Sequence, residues 1–259
     1  MLRKRIFTVI SFLFAFACFR AGTLTAQPTG FPAGSRAAHR LTVTAVAAYT
    51  KHDFAPFAYE LPVYLVRVTY GLTSWLDLAL LGGATDLRAE HTAESRSWWS
   101  EGYKPVAGIG IWLDPLRLGP LSTYVASTVL GYTNRGAHWQ EEVVEGERRV
   151  AWDATEQRIG ELIVTGGLGL ELGNVRLYGG AGIGQWWRRV EVTQELHRSG
   201  EKVVLGHNVE TYSGEPTIRP LGGVELRLPH RLFLSFEASA RSADDLWISV
   251  GIGQTGSPD

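Results

Sequence analysis

The sequence predicts an all-β fold: a closed antiparallel up-and-down transmembrane β-barrel of about ten strands, with eight or twelve strands as the alternatives. Three observations predict it. The chain begins with the pattern of an export signal, its later segments alternate apolar and polar residues with the period of a β-strand, and turns join these segments in pairs. A strand with this period presents one apolar face and one face of charged or small residues.

The N-terminal segment predicts export from the cytoplasm. Arg3, Lys4 and Arg5 precede an apolar run at residues 6–17, which is too short to span a bilayer and has the form of a signal peptide. Small residues before Gln27 provide a cleavage site. The domain boundaries that follow are a cleaved signal peptide at residues 1–26, a flexible mature N-terminus at 27–40, the barrel at 41–253 and a tail at 254–259.

Residues 64–83 show the strand pattern most clearly, because two strands flank a polar turn at residues 71–74. The apolar face carries Val66, Val68, Tyr70, Leu76, Leu78 and Leu80, and the opposite face carries Arg67, Thr69, Asp77 and Ala79. A soluble sheet turns its apolar face inward, whereas a membrane barrel turns it toward lipid. The hairpin alone therefore leaves both arrangements open.

The other strands follow in order along the chain. They are predicted at residues 41–50, 103–113, 121–133, 158–172, 175–192, 217–228, 232–241 and 246–253. Gly173 and Asn174 form a two-residue hairpin turn, and polar segments at 51–60, 86–102, 134–157 and 195–215 are predicted loops. After the signal, no apolar run approaches the ~20 residues of a transmembrane helix. A mature chain that crosses a membrane must then close into a barrel, which leaves no backbone group unpaired in lipid.

The lengths of the connections favour the membrane barrel. Short turns follow the second, fourth, sixth and eighth predicted strands, and longer or more charged connections mostly follow the odd ones. Bacterial membrane barrels sort their connections in this way, with short turns toward the periplasm and long loops toward the outside.

The hairpin at residues 70–78, YGLTSWLDL, is similar to one that recurs in outer-membrane transporter barrels, and residues 41–253 resemble bacterial outer-membrane β-barrel proteins. The resemblance implies a location in the bacterial outer membrane, contact with outer-membrane lipid, and insertion by the barrel-assembly machinery. The chain departs from the pattern at its C-terminus, where residues 254–259 lack the terminal aromatic residue that such barrels usually carry.

With the apolar face toward lipid, charged residues of both signs face the lumen. This predicted lumen charge network comprises Arg67, Asp77, Glu161, Glu171, Arg176, Arg188, Arg219, Glu225, Arg227 and Glu237. Charges enclosed in a narrow lumen have to pair, because an unpaired buried charge costs several kcal/mol. The network can therefore be structural and plug the barrel, or form a pore constriction for a small solute. Many glycines on the same face indicate crowding rather than a wide aqueous pore.

Aromatic residues recur near the predicted strand ends and fit the interfacial girdles of a membrane barrel. They are Tyr49, Tyr64, Tyr70, Trp75, Tyr103, Trp112, Tyr132, Trp186, Trp187 and Trp247. The alternation places Trp112, Trp186 and Trp247 on the inward face, so these three do not support a girdle. Ordinary enrichment of aromatic residues in strands is the alternative.

Composition argues against several other classes. The only cysteine, Cys18, lies in the predicted signal, so thiolate catalysis and cysteine-ligated metals are excluded from the cleaved chain. Acidic residues number 26 against 25 basic ones, which is not the basic footprint of a nucleic-acid-binding protein. The pairs His138 with Asp153 and His197 with Glu195 fall in predicted loops without motif spacing, and no histidine pair has zinc-site spacing.

The sequence therefore predicts a non-enzymatic barrel with a structural, surface or narrow channel role and a charged, largely side-chain-filled lumen. We expect no catalytic residues, no metal, no cofactor and no nucleic-acid partner. The expected partners are outer-membrane lipid, the assembly machinery and a small solute. An outer-membrane enzyme that acts at the barrel rim, or a soluble exported ligand-binding barrel, is the alternative.

Overall fold

A computed structural model describes residues 38–256, apart from 55–56, 87, 92–95, 101, 145–146, 199–200, 214–215 and 243–244. The predicted signal peptide lies outside the described residues. The strands are β1 (Leu41–Phe54), β2 (Phe57–Gly71), β3 (Leu76–Thr85), β4 (Arg88–His91), β5 (Arg96–Ser100), β6 (Lys104–Leu113), β7 (Arg117–Leu118), β8 (Leu121–Val144), β9 (Glu147–Leu172), β10 (Val175–Arg198), β11 (Glu201–Ser213), β12 (Thr217–Arg227), β13 (Leu232–Ser242) and β14 (Asp245–Thr255).

Ten of the strands in this part of the chain form a closed antiparallel barrel. Their order around the ring is β1, β2, β3, β6, β8, β9, β10, β12, β13 and β14. The ring closes because β1 pairs with β2 on one side and with β14 on the other, in a register that runs from Thr42 opposite Thr255 to His52 opposite Asp245. The predicted closed barrel of ten antiparallel strands is confirmed.

The barrel has a short-turn end and a long-strand end. At the short-turn end, residues 72–75, 114–120, 173–174 and 228–231 connect neighbouring strands, and the start of β1 lies beside the residue that follows β14. The Gly256 N–H donates to the Leu41 carbonyl at 2.7 Å. At the opposite end β8, β9 and β10 reach 24 to 26 residues, well beyond the 9–11 residues that cross a bilayer.

The predicted loops at 51–60, 86–102, 134–157 and 195–215 are wrong, because β-strands occupy much of these segments. Residues 134–157 continue the β8–β9 hairpin, in register from Asn134 opposite Gln157 to Val144 opposite Glu147. The segment at 86–102 contains β4 and β5, which pair with β2 and β8, and β11 pairs with the far part of β10. Polar composition misled the prediction, because strands that extend beyond the lipid keep their backbone pairing without needing an apolar face.

The outward face of the barrel is apolar. Exposed hydrophobic side chains include Val43, Val66, Leu78, Leu80, Ile109, Ile111, Leu168, Leu177, Phe236, Ile248, Val250 and Ile252. A soluble barrel would bury such residues inside, so this surface contradicts the soluble alternative and matches a lipid-facing belt. No helix in the described residues is long and apolar enough to cross a membrane.

The aromatic residues divide between the two faces. Tyr64, Tyr70, Trp75, Tyr103 and Trp187 are exposed on the outside, as the girdle interpretation expects. Trp112, Tyr132 and Trp247 are buried inside the barrel. The girdle interpretation is therefore wrong for Tyr132, while the inward placement of Trp112 and Trp247 agrees with their alternation.

Two outward leucines provide a test of the lipid-facing belt. Leu80 in the middle of β3 and Leu118 in the short-turn strand β7 are each 65% exposed. We expect Leu80→Arg to lower the free energy of unfolding in lipid vesicles by ~2–4 kcal/mol, and Leu118→Arg by only ~0–1 kcal/mol, because the cost of a cation falls from the bilayer midplane to the interface. Equal effects of the two variants in urea titrations would show that the outward face meets water.

Candidate functional site in the lumen

The lumen charge network lies on the inner face of the barrel. Seven of the ten predicted residues are almost fully buried: Arg67, Asp77, Glu161, Arg176, Arg219, Glu225 and Glu237. The other three, Glu171, Arg188 and Arg227, are partly exposed. Most of the ten gather in three groups, which we call the mid-lumen cluster, the Glu161 cluster and the short-turn cluster.

The mid-lumen cluster connects opposite walls of the barrel. Arg67 on β2 interacts electrostatically with Glu237 on β13, Tyr178 on β10 and Glu225 on β12, and its guanidinium lies 5.5 Å from the centroid of the Trp112 ring. The Tyr178 hydroxyl donates to Glu237 Oε2 at 3.0 Å. Because β2 and β10 face each other across the ring of strands, these side chains cross the lumen rather than line it.

A second tyrosine ring supports the mid-lumen cluster from the wall. Tyr124 on β8 meets Tyr178 edge to face, with ring centroids 6.3 Å apart. Such an arrangement sets the positive ring edge against the negative face of the other ring. It holds the Tyr178 ring, and therefore its hydroxyl, in a fixed position beside Glu237.

The Glu161 cluster is a separate buried group. Glu161 on β9 accepts a hydrogen bond from the Tyr132 hydroxyl at 2.9 Å and lies within electrostatic reach of Arg219 on β12. A tyrosine donor and a nearby guanidinium stabilise the buried carboxylate, because a buried charge without such partners is strongly unfavourable.

The short-turn cluster contains three ion pairs around two carboxylates. Arg117 Nη2 lies 2.5 Å from Glu171 Oε2, and Arg227 Nη2 lies 3.2 Å from Glu171 Oε1. The Nε atom of Arg227 is 3.3 Å from Glu225 Oε1. Arg176, on the strand after Glu171, donates to the Ser122 hydroxyl at 3.3 Å. This chain of contacts joins β7, β9 and β12 at the short-turn end.

Two further predicted members, Asp77 and Arg188, are placed here by their strand register. Asp77 is buried on β3, opposite Gly71 of β2, whereas Arg67 lies opposite Leu81. The two hairpin charges are therefore not register partners. Arg188 lies farther along β10, opposite Ile159 and Tyr212. The pairwise role of each residue in the network stays a prediction.

Glycines on β9 and β10 let the walls approach each other closely. Gly167 and Gly180 are register partners, and a Cβ atom added to Gly180 would lie 2.7 Å from the Gly167 Cα atom. At Gly110 a Cβ atom would lie 2.6 Å from the Trp112 ring. The inward glycines thus provide the space that the large lumen side chains fill.

The lumen also holds a buried apolar cluster, which the predicted charge network did not include. The buried apolar cluster contains Leu61, Val63, Leu65, Ala79, Leu81, Val106, Trp112, Ala126, Leu130 and Tyr132. Leu61, Val63 and Leu65 have the same strand parity as Arg67. That parity was the available sequence signal, but the prediction assigned the apolar face of each strand to lipid and did not consider these inward apolar residues.

One juxtaposition bears on catalysis at the rim. The β8–β9 register places His138 directly opposite Asp153, while His197 lies opposite Val150 on the β9–β10 pair. In the described part of the chain, no group of three or more histidine, cysteine and acidic residues could hold a metal ion.

Comparison with known proteins agrees with this fold. No family model and no curated protein matches the sequence. Among solved structures, the translocator domain of the autotransporter NalP from Neisseria meningitidis is similar over 87% of this chain and 90% of its own, with a TM-score of 0.54 and 10% identity.

Two further solved structures have lower scores. The outer membrane protease OmpT from Escherichia coli has a TM-score of 0.46 and 8% identity over 90% of this chain and 96% of its own. An outer membrane channel from Pseudomonas putida F1 has a TM-score of 0.37 and 11% identity over 90% of this chain and all of its own. The likeness is one of fold, that of bacterial outer-membrane β-barrels.

Proposed function

We propose that the chain is a non-enzymatic outer-membrane barrel that works as a narrow, gated channel for small solutes, with the lumen charge network as its constriction. The mid-lumen cluster is the observation that supports this function most strongly. Arg67, Trp112, Tyr178 and Glu237 meet from different walls, so they occupy the path that a solute would follow.

The chemical nature of the filling favours a constriction over a purely structural core. Buried ion pairs can often be replaced by apolar residues with no loss of stability, so charge is not needed to fill a barrel. The apolar part of this lumen illustrates the point, since Leu61, Leu65 and Leu130 are buried there without charges. Charged side chains at the narrowest level, in contrast, are how channels select and gate.

The proposed gate opens by movement of side chains. Trp112 and Arg67 contact each other through a ring face and a guanidinium rather than through a two-bond ion pair, so a rotamer change of either separates them. The short-turn end faces the periplasm in this proposal, and the extended β8–β11 strands face the outside.

Solute flux into liposomes tests the channel. We expect liposomes that contain the mature protein to admit amino-acid-sized solutes faster than empty liposomes, and to exclude trisaccharides, because side chains fill the mid-lumen. The matched control is Leu118→Ala, outside the lumen, which should leave the flux unchanged. Absence of flux for every solute would instead leave a closed barrel with a structural or surface role.

An enzyme at the rim is the second candidate, because the register sets His138 opposite Asp153. A histidine and a carboxylate are residue types that general acid–base catalysis uses. Hydrolysis of a fluorescent peptide or phospholipid that is lost in His138→Ala but kept in His197→Ala would support it. No turnover by the wild-type protein would reject it.

A further inference from the structure

A basic cavity opens at the short-turn end of the barrel. It has a volume of about 440 Å³, and Arg40, Arg117, Arg227 and Arg231 line it together with Glu225 and Phe233. We call it the mouth cavity. A pocket of this size is within the range that holds small-molecule ligands.

The carboxylates at the mouth cavity do not balance its arginines. Glu171 pairs with Arg117 and Arg227, and Glu225 pairs with Arg227. Among the residues that the structure describes, neither Arg40 nor Arg231 has a carboxylate within ion-pair distance, and the buried Arg40 Nε atom has no hydrogen-bond partner. The four arginines that line the cavity thus have two carboxylates, Glu171 and Glu225, to balance them, and a net positive charge remains.

Backbone strain is concentrated at the same place. Within the described residues, the non-glycine residues with positive φ are His39 (65°), His230 (61°) and Arg231 (62°). His39 directly precedes Arg40, and the other two form the turn that carries Arg231. A left-handed conformation is unfavourable for residues with a side chain and persists where the surrounding structure imposes it, often at ligand sites.

Hydrogen bonds hold both strained segments in place. The His39 N–H donates to the Gly71 carbonyl at 2.7 Å, and its ring Nδ1 lies 3.1 Å from the Tyr70 hydroxyl. Gln254 Nε2 donates to the His230 carbonyl at 3.3 Å. The two arginines that lack carboxylate partners are thus fixed at the cavity by backbone that is already ordered, which lowers the entropic cost of binding.

We propose that the mouth cavity binds a small soluble oxyanion, a carboxylate or a phosphate, between Arg40 and Arg231. Guanidinium groups match the planar, two-oxygen geometry of these anions, and charge-assisted hydrogen bonds are the strongest kind. The uncompensated charge of these two guanidinium groups is what such an anion would balance. Binding of an anion at this site does not depend on the proposed channel function of the barrel.

Calorimetric titration of the mature protein in a nonionic detergent tests the site. We expect inorganic phosphate and succinate to bind saturably at constant ionic strength, and methylammonium not to bind. Arg40→Gln and Arg231→Gly should each weaken binding about tenfold, because each removes a charged donor. Glycine favours the φ of residue 231, so Arg231→Gly keeps the turn and separates loss of binding from loss of fold.

Arg158→Gln is the matched control, because Arg158 is an exposed arginine on the outside of the barrel, 3.3 Å from Glu156; it should bind like the wild type. Three results would overturn the proposal: no binding of either anion by the wild type, binding by Arg231→Gly and Arg40→Gln that equals that of the wild type, or a loss in Arg158→Gln as large as in those two variants. Binding in detergent that disappears in phosphatidylcholine nanodiscs would also overturn it, since a lipid headgroup then occupies the cavity.

Discussion

Arg67→Ala is expected to lower the free energy of unfolding by ~3–5 kcal/mol, because removing one member of a buried charge cluster leaves the others without compensation. Arg67 is almost fully buried, and its charge acts on both Glu237 and Glu225. The substitution also removes the guanidinium above the Trp112 ring. Urea titration of the protein in lipid vesicles, followed by tryptophan fluorescence, measures the change.

Arg158→Ala serves as the comparison for this loss. Its side chain is 61% exposed and pairs with Glu156 at the surface, so we expect a change of ~1 kcal/mol or less. If the two variants lost the same stability, Arg67 would not be a member of a buried charge cluster, and the proposed constriction would lose its central residue.

Gly180→Ala is expected to destabilise the barrel by at least ~2 kcal/mol, through overpacking of the β9–β10 pair. The three atoms nearest to the added Cβ atom would all be backbone atoms, among them the Gly166 carbonyl oxygen and the Gly167 Cα atom. Backbone of a long strand pair cannot move aside as a flexible side chain can. The shift of the urea midpoint and the loss of heat-modifiable gel mobility both report the effect.

The neighbouring Gly179→Ala is the matched control, because its Cβ atom would face outward and lie 3.6 Å from the Leu221 carbonyl oxygen, which is ordinary van der Waals contact. Alanine has less backbone entropy than glycine, so we expect this variant to be neutral or more stable by ~0.5 kcal/mol. Destabilisation by Gly179→Ala as large as by Gly180→Ala would show that the close approach of β9 and β10 is not the cause.

The period of two in the sequence predicted much of the barrel. It identified ten antiparallel strands and placed Arg67, Arg176 and Glu225 on the inward face, because side-chain parity is a local property of a strand. The same parity could not show that Tyr178 reaches Glu237, since that contact depends on the register and curvature of strands far apart in the chain.

Two other features lay beyond the sequence pattern. Residues 134–157 read as a polar loop, although strand pairing continues there after the lipid-facing belt ends. The mouth cavity brings together Arg40 from the segment before β1, Arg117 from β7 and Arg231 from the turn before β13, and only barrel closure makes them neighbours. Strand pairing outside the membrane and closure of the barrel do not produce an alternation of apolar and polar residues, so the sequence pattern does not reveal them.

Single-channel recording in planar bilayers tests most directly whether side chains constrict the lumen. Trp112 is almost fully buried beside Arg67 and Gly110, so Trp112→Ala removes filling from the proposed constriction. We predict small, brief current openings for the wild type. For Trp112→Ala we predict openings several-fold larger, in protein whose gel mobility shows that it is folded. A large steady wild-type conductance, or the same current from both proteins, would contradict the proposed constriction.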